Sequence, residues 1–152
     1  MDKNKKEGRY NRLYTQIKDL IDKSSNNSLS NMATINAVLY HKMDYFFWTG
    51  FYLLQDGKLQ VGPYQGALAC INLARDTGVC WTAINQNKPV VVDDVEKFPG
   101  HIACDSRSKS EIVIPLKDDH DNIIGVMDVD SAVLNSFDEV DVKWLQKMSE
   151  LV

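Results

Sequence analysis

Three thiols, Cys70, Cys80 and Cys104, and three carboxyls, Glu111, Asp128 and Asp130, are the side chains whose types and placement could do chemistry. An odd number of cysteines argues against a static disulfide framework. In a reducing compartment such thiols are core residues, redox groups or ligands. A zinc site needs Cys or His pairs at short spacing, and these cysteines lie 10 and 24 residues apart, so no metal is expected. Cys104 sits in the irregular stretch "VEKFPGHIACDSRSKS", residues 95–110. A loop of this length inside a domain is functional or disordered, and Phe98, Pro99, Ile102 and Cys104 are too many apolar anchors for disorder. Arg107 and Lys109 follow closely, and nearby cations lower a thiol pKa. The residues alone leave Cys104 open between a reactive thiol and a small apolar anchor.

The carboxyls give a sharper signal. Glu111 begins the apolar strand "EIVIPL", and Asp128 and Asp130 alternate with Met127 and Val129. Side chains alternate along a strand, so Asp128 and Asp130 share a face, and hairpin pairing can bring Glu111 to it. Carboxyls gathered in one pocket repel, which raises at least one pKa and keeps one acid protonated near neutral pH, able to donate a hydrogen bond. The competing reading is a solvated face on which Asp130 caps the turn at "DSAVLN".

The elements that must hold these groups are legible as an α+β order. In "GRYNRLYTQIKDLIDK", Tyr10, Leu13, Ile17, Leu20 and Ile21 recur with helical spacing. The polar "SSNNS" breaks that helix, and a second, capped by Ser28 or Ser30, presents Met32, Ile35, Leu39 and Met43. Two apolar runs then meet at Asp56-Gly57, a hairpin signal. A short helix follows Thr77-Gly78, and "KPVVVDD" is a brief strand with Pro89 at its start. Two further strands flank the turn "DDHDN", and a last helix is capped by Ser136 with Glu139 three residues later. His41 and His120 read as helix-end and turn residues. The expectation is helices packed on a mostly antiparallel sheet.

With 152 residues, 44% of them hydrophobic, the chain is one domain, its first eight residues expected to be flexible. At a net charge of −4, with no basic block beyond "KNKK", it is not a nucleic-acid binder. No apolar run approaches the roughly 18 residues that span a bilayer, and the start "MDKNKKEG" lacks a signal peptide's apolar stretch. A cytoplasmic protein without membrane contact is expected.

The segments "GPYQGALACINLARDTGVC", "DVEKFPGHIACDSRSKSEIVIPL" and "IIGVMDVDS" resemble the signature segments of the free methionine-(R)-sulfoxide reductases, a catalytic branch of the GAF domain fold. The resemblance covers residues 30–150, and all three cysteines match in order and context. It departs at Trp81, where a small residue is expected after "GVC", which bears on the shielding of Cys80. The resemblance implies that Cys104 is the nucleophile: its thiolate attacks the sulfoxide sulfur, methionine leaves and a sulfenic acid remains. A second cysteine, Cys70 in the first place and Cys80 in reserve, condenses with it to a disulfide that a thioredoxin-type dithiol reduces. Glu111, Asp128 and Asp130 match the binding acids. A protonated carboxyl polarises the S–O bond and supplies a proton, and ionised ones hold the ammonium of a free amino acid. Trp48 and Tyr52 would wall the methyl group, though both could equally be core. His101, near Cys104, suggests a base, but sulfoxide reduction calls for an acid. No cofactor is implied, and the family suggests a homodimer acting against oxidative stress. Two other functions fit a GAF domain: a noncatalytic small-ligand module, or a redox sensor using the same thiols.

Overall fold

The structure is a computed structural model, which describes residues 1–24, 26–101 and 104–152; Ile102, one of the expected loop anchors, lies outside the described residues. Among the described residues the order is α1 (Lys3–Asp22), α2 (Ser28–Lys42), β1 (Trp48–Gln55), β2 (Lys58–Gln65), β3 (Asn72–Leu73), α3 (Gly78–Gln86), β4 (Val90–Val92), β5 (Ser110–Lys117), β6 (Ile123–Ser131) and α4 (Glu139–Ser149). The strands form one sheet in the order β3-β2-β1-β6-β5-β4, every neighbouring pair antiparallel. No helix among the described residues is long and apolar enough to cross a membrane.

Strand alternation divides the core between the two sheet faces. Phe51, Ile112, Ile114, Met127 and Val129 point to the side covered by α1, α2 and α4, where Tyr10, Ile17, Ile35, Leu39, Leu145 and Met148 meet them. Tyr52, Val113 and Val126 point to the side covered by α3, with Val79, Cys80, Trp81 and Ala83. The hairpin turn forms where expected: Asp56 (φ 53°) and Gly57 (φ 75°) both take positive φ, as a two-residue turn between twisted strands requires, and Gln55 pairs with Lys58.

Several local expectations are corrected. Asn27 caps α2, its side chain accepting from the N–H of Ser30 at 3.1 Å, so Ser28 is the first helical residue. The last helix is capped by Asp138, in a reciprocal box with Asp141; Ser136 instead places its hydroxyl 2.7 Å from that of Ser131. The two-residue strand β3 has no marker of its own in the sequence.

Residues 3–8, read from the sequence as a flexible lead, form the first turns of α1, and a buried ion pair holds them. Lys6 Nζ donates to Asp141 at 2.6 Å, with both residues removed from solvent. The hydroxyls of Tyr10 and Tyr45 donate to the other oxygen of Asp141, each at 2.6 Å. Burial and the Asp141 charge push both phenols upward. Asp141 thereby ties the start of α4 to α1. Lys6→Met should leave that carboxylate buried without a cation and cost about 3 kcal/mol of unfolding free energy, measured by urea denaturation. An unchanged midpoint would show that the pair contributes nothing.

Candidate active site

The central strand β6 has β1 on one side and β5 on the other. Asp130 lies in register between Trp48 and Glu111, and Asp128 between Gly50 and Val113. A period of two puts all of these on the α3 side of the sheet. A cavity of about 90 Å³ opens there, bounded by Trp48, Tyr52, Glu111, Asp128 and Asp130 from the sheet and Cys80 from α3. The loops add Ala67, Leu68, His101, Cys104 and Ser108. The three carboxyls expected to converge do so, and Glu111 and Asp128 are each only 5% exposed.

Such burial decides their charge. Glu111 is held well above the usual carboxyl range, first by loss of solvation and then by the charges of Asp128 and Asp130. Asp130 is also raised, by burial and then by Asp128, although the Ser108 hydroxyl, donating at 2.7 Å, opposes the shift. Asp128 is pushed up to about 6 by burial, with hydrogen bonding by Glu111 and Cys80 working against it. Burial and mutual repulsion therefore favour keeping a proton in the cluster over ionising all three carboxyls. The Oδ1 of Asp128 is buried with no hydrogen-bond partner meeting ordinary geometry among the described residues.

Cys80 is a free, buried thiol that lines the same cavity as Cys104. Its thiol, Glu111 and Asp128 each offer an atom within 4.8 Å of the others, and burial followed by the acids' charges drives the Cys80 pKa up. Spacing along the chain gave no reason to expect this cluster, which the fold creates by laying α3 across β5 and β6. Sulfur with two carboxylates is a donor set that a divalent cation could use. Trp81, the departure from the family pattern, is 4% exposed and packs in the same apolar cluster as Cys80.

Cys70 and Cys104 form a disulfide with their Cα atoms 5.6 Å apart. Cys104 is exposed and Cys70 half-buried. The cationic cue beside Cys104 is largely spent elsewhere. Arg107 donates through Nε and Nη2 to the carboxylate of Asp105, at 2.9 and 2.6 Å, and Lys109 faces Glu96 at 3.8 Å. His101 has its Nε2 buried without a partner among the described residues, and burial lowers its pKa, so it stands neutral at the cavity wall.

Trp48 and Tyr52 form the aromatic wall and fix the loop that carries Cys70. Trp48 stacks between Tyr52 and Tyr64, with ring centroids at 5.8 and 5.3 Å. Its Nε1 donates to Ala67 O at 3.0 Å, and Tyr52 donates its hydroxyl to Cys70 O at 3.3 Å. Gly50 makes room for the indole: a Cβ there would lie 2.6 Å from Trp48 Cη2. Neither Gly50 nor Ser108 stood out in the sequence. A glycine in a strand and a serine in a polar loop carry no signal until their cross-strand neighbours are known.

The GAF domain family matches residues 42–152. GAF domain-containing protein A of Dictyostelium discoideum is 48% identical, over 100% of this chain and 95% of its own. The free methionine-R-sulfoxide reductase of Escherichia coli is 43% identical, over 79% of this chain and 72% of its own. The solved structure of the free methionine-R-sulfoxide reductase from Neisseria meningitidis in complex with its substrate superposes with a TM-score of 0.90 at 38% identity, covering 96% of this chain and 87% of that one. The chain belongs to the GAF domain family, in its free methionine-(R)-sulfoxide reductase branch.

Because the folded chain holds the Glu111 proton more tightly than the unfolded one, the stability tied to that proton is full below the ordinary value of 4.5 and is lost as pH rises through the raised value. Glu111→Gln removes this titration and should gain melting temperature relative to the parent as pH rises above 4.5. Parallel curves for the two proteins would contradict a protonated Glu111.

Proposed function

We propose that this protein reduces free L-methionine-(R)-sulfoxide to methionine. The observation that carries the reading is a disulfide whose Cys104 lines a cavity that also holds the buried carboxyls of Glu111 and Asp128 and the half-buried one of Asp130. A sulfoxide reductase needs both parts: a thiol pair to supply two electrons and take up the oxygen, and an acid to protonate it.

In the reduced protein the Cys104 thiolate attacks the sulfoxide sulfur. Protonated Glu111 polarises the S–O bond and passes its proton to the oxygen; the hydroxyl then moves to the Cys104 sulfur as the transient Cys104–methionine sulfur bond and the methionine S–O bond break, so methionine departs and Cys104 is left as the sulfenic acid. Cys70 then attacks the Cys104 sulfur; the S–O bond breaks, water leaves with the Cys70 proton, and the Cys70–Cys104 bond forms. A thioredoxin-type dithiol restores both thiols by exchange. Asp128 and Asp130, the latter accepting from the Ser108 hydroxyl, hold the ammonium group. Trp48 and Tyr52 face the methyl group. Two geometric facts support Cys70 over Cys80 as the resolving residue: Cys70 is the partner bonded to Cys104, and Cys80 is buried beside the acids.

A redox sensor would use the same disulfide, but such a switch has no use for three desolvated carboxyls beside it, which raise the chain's free energy unless a ligand's charge is met there. A noncatalytic ligand module, conversely, has no need of the disulfide.

Cys104→Ser should fold and show no turnover, as an exposed loop residue contributes little core volume. Cys70→Ser should release about one methionine per protein in a single turnover and then stall with thioredoxin as reductant. Normal cycling of Cys70→Ser, together with a stall in Cys80→Ser, would exchange the two roles. Thiol loss without methionine, counted by chromatography, would instead identify a sensor.

A further inference from the structure

We propose that the loop carrying Cys70 is the docking surface for a protein dithiol, with Leu68 and Ile71 as its apolar contacts, an inference that rests on the redox cycle above. Leu68 is 82% exposed and Ile71 68% exposed, and they bracket Cys70 in the chain. Large apolar side chains so exposed beside a disulfide are otherwise a cost in solubility, and they suit a transient interface. Their backbone is not loose. Ile71 O accepts from Val61 N at 2.8 Å, Cys70 O from the Tyr52 hydroxyl at 3.3 Å, and Ala67 O from Trp48 Nε1 at 3.0 Å. The two side chains are thus presented on a fixed frame, which lowers the entropic cost of docking.

The occupant follows from the chemistry and the charge of the rim. A disulfide that must be reopened needs a thiolate donor. The charges flanking the rim are paired with each other, Arg107 with Asp105 at 2.6 Å and Arg75 with Asp76 at 3.9 Å. The complementary partner face is therefore apolar around a reactive dithiol, not a cationic or anionic one. Cys104 is the exposed member of the pair, so the partner's thiolate attacks its sulfur. A partner-sulfur to Cys104 bond forms, the Cys70–Cys104 bond breaks, and the electron pair leaves on Cys70, which takes up a proton. The partner's second thiol, giving up its proton, then attacks the partner sulfur of the mixed disulfide. The partner leaves oxidised, and Cys104 is released as a thiolate.

The test follows reopening of the Cys70–Cys104 disulfide by stopped-flow, without methionine sulfoxide, using a thioredoxin in one arm and dithiothreitol in the other. Ile71→Asp should slow reduction by thioredoxin at least about tenfold, as expected for loss of an interface anchor, and Ile71→Met should restore it. The dithiothreitol rate should stay within about twofold of the parent, because a small thiol has no footprint to lose. Equal thioredoxin rates for the parent and Ile71→Asp would overturn the surface, and so would an equal loss with both reductants. Failure of the parent to reduce methionine sulfoxide would overturn the catalytic reading instead, and leaves these rates readable.

Discussion

The constraint on which the rest of the site depends is that three carboxyls gathered on one face of a sheet, two buried and one half-buried, resist ionising together. The pairing of β6 with β1 and β5 fixes Asp128 and Asp130 two residues apart and places Glu111 level with Asp130. Desolvation raises all three, and each ionisation makes the next harder. The cluster therefore favours retaining a proton among its carboxyls while it can still carry negative charge. One scaffold thus offers a proton and a negative charge within a few ångströms, which is what a zwitterionic sulfoxide calls for at its two polar ends.

The two sheet faces serve different ends. The face under α1, α2 and α4 is apolar and locked by Asp141, which gathers Lys6, Tyr10 and Tyr45 around one carboxylate. The other face holds the cavity, and its loops are tied down individually. Trp48 and Tyr52 anchor the loop of Cys70 through its carbonyls, and the disulfide joins that loop to the segment of Cys104. A rigid sheet with loops secured at a few points is the arrangement in which reactive groups are held to a useful geometry while Cys104 stays exposed.

How much of this was legible depended on whether the signal was periodic or relational. The alternation of Asp128 and Asp130 with Met127 and Val129, the Asp56-Gly57 turn and the spacing of Tyr10, Leu13 and Ile17 are periodic, and they place faces and elements directly. Helix caps are set by one side chain within two residues of a boundary, so Asn27 and Asp138 could not be told from Ser28 and Ser136 without the backbone angles. The contacts that relate distant residues had no local mark. Lys6 with Asp141, Ser108 with Asp130, and Cys80 with Glu111 and Asp128 exist only because strands and helices far apart in the chain are brought together. Arg107 shows the reverse error. Read along the sequence it appeared available to Cys104, whereas its guanidinium forks onto Asp105, the nearer carboxylate.

The central claim, that this acid pocket serves a free amino acid sulfoxide, is tested most directly by comparing free and N-acetylated L-methionine-(R)-sulfoxide with the parent and with Asp128→Asn. The α-ammonium is the cation that a free amino acid has and an internal residue lacks. Removing it should cost on the order of 2–5 kcal/mol, at least about thirtyfold in kcat/KM, as for truncation of a buried charge pair. Asp128→Asn should lose a comparable factor on the free substrate and little on the acetylated one. Equal kcat/KM of the parent for both substrates would contradict the account.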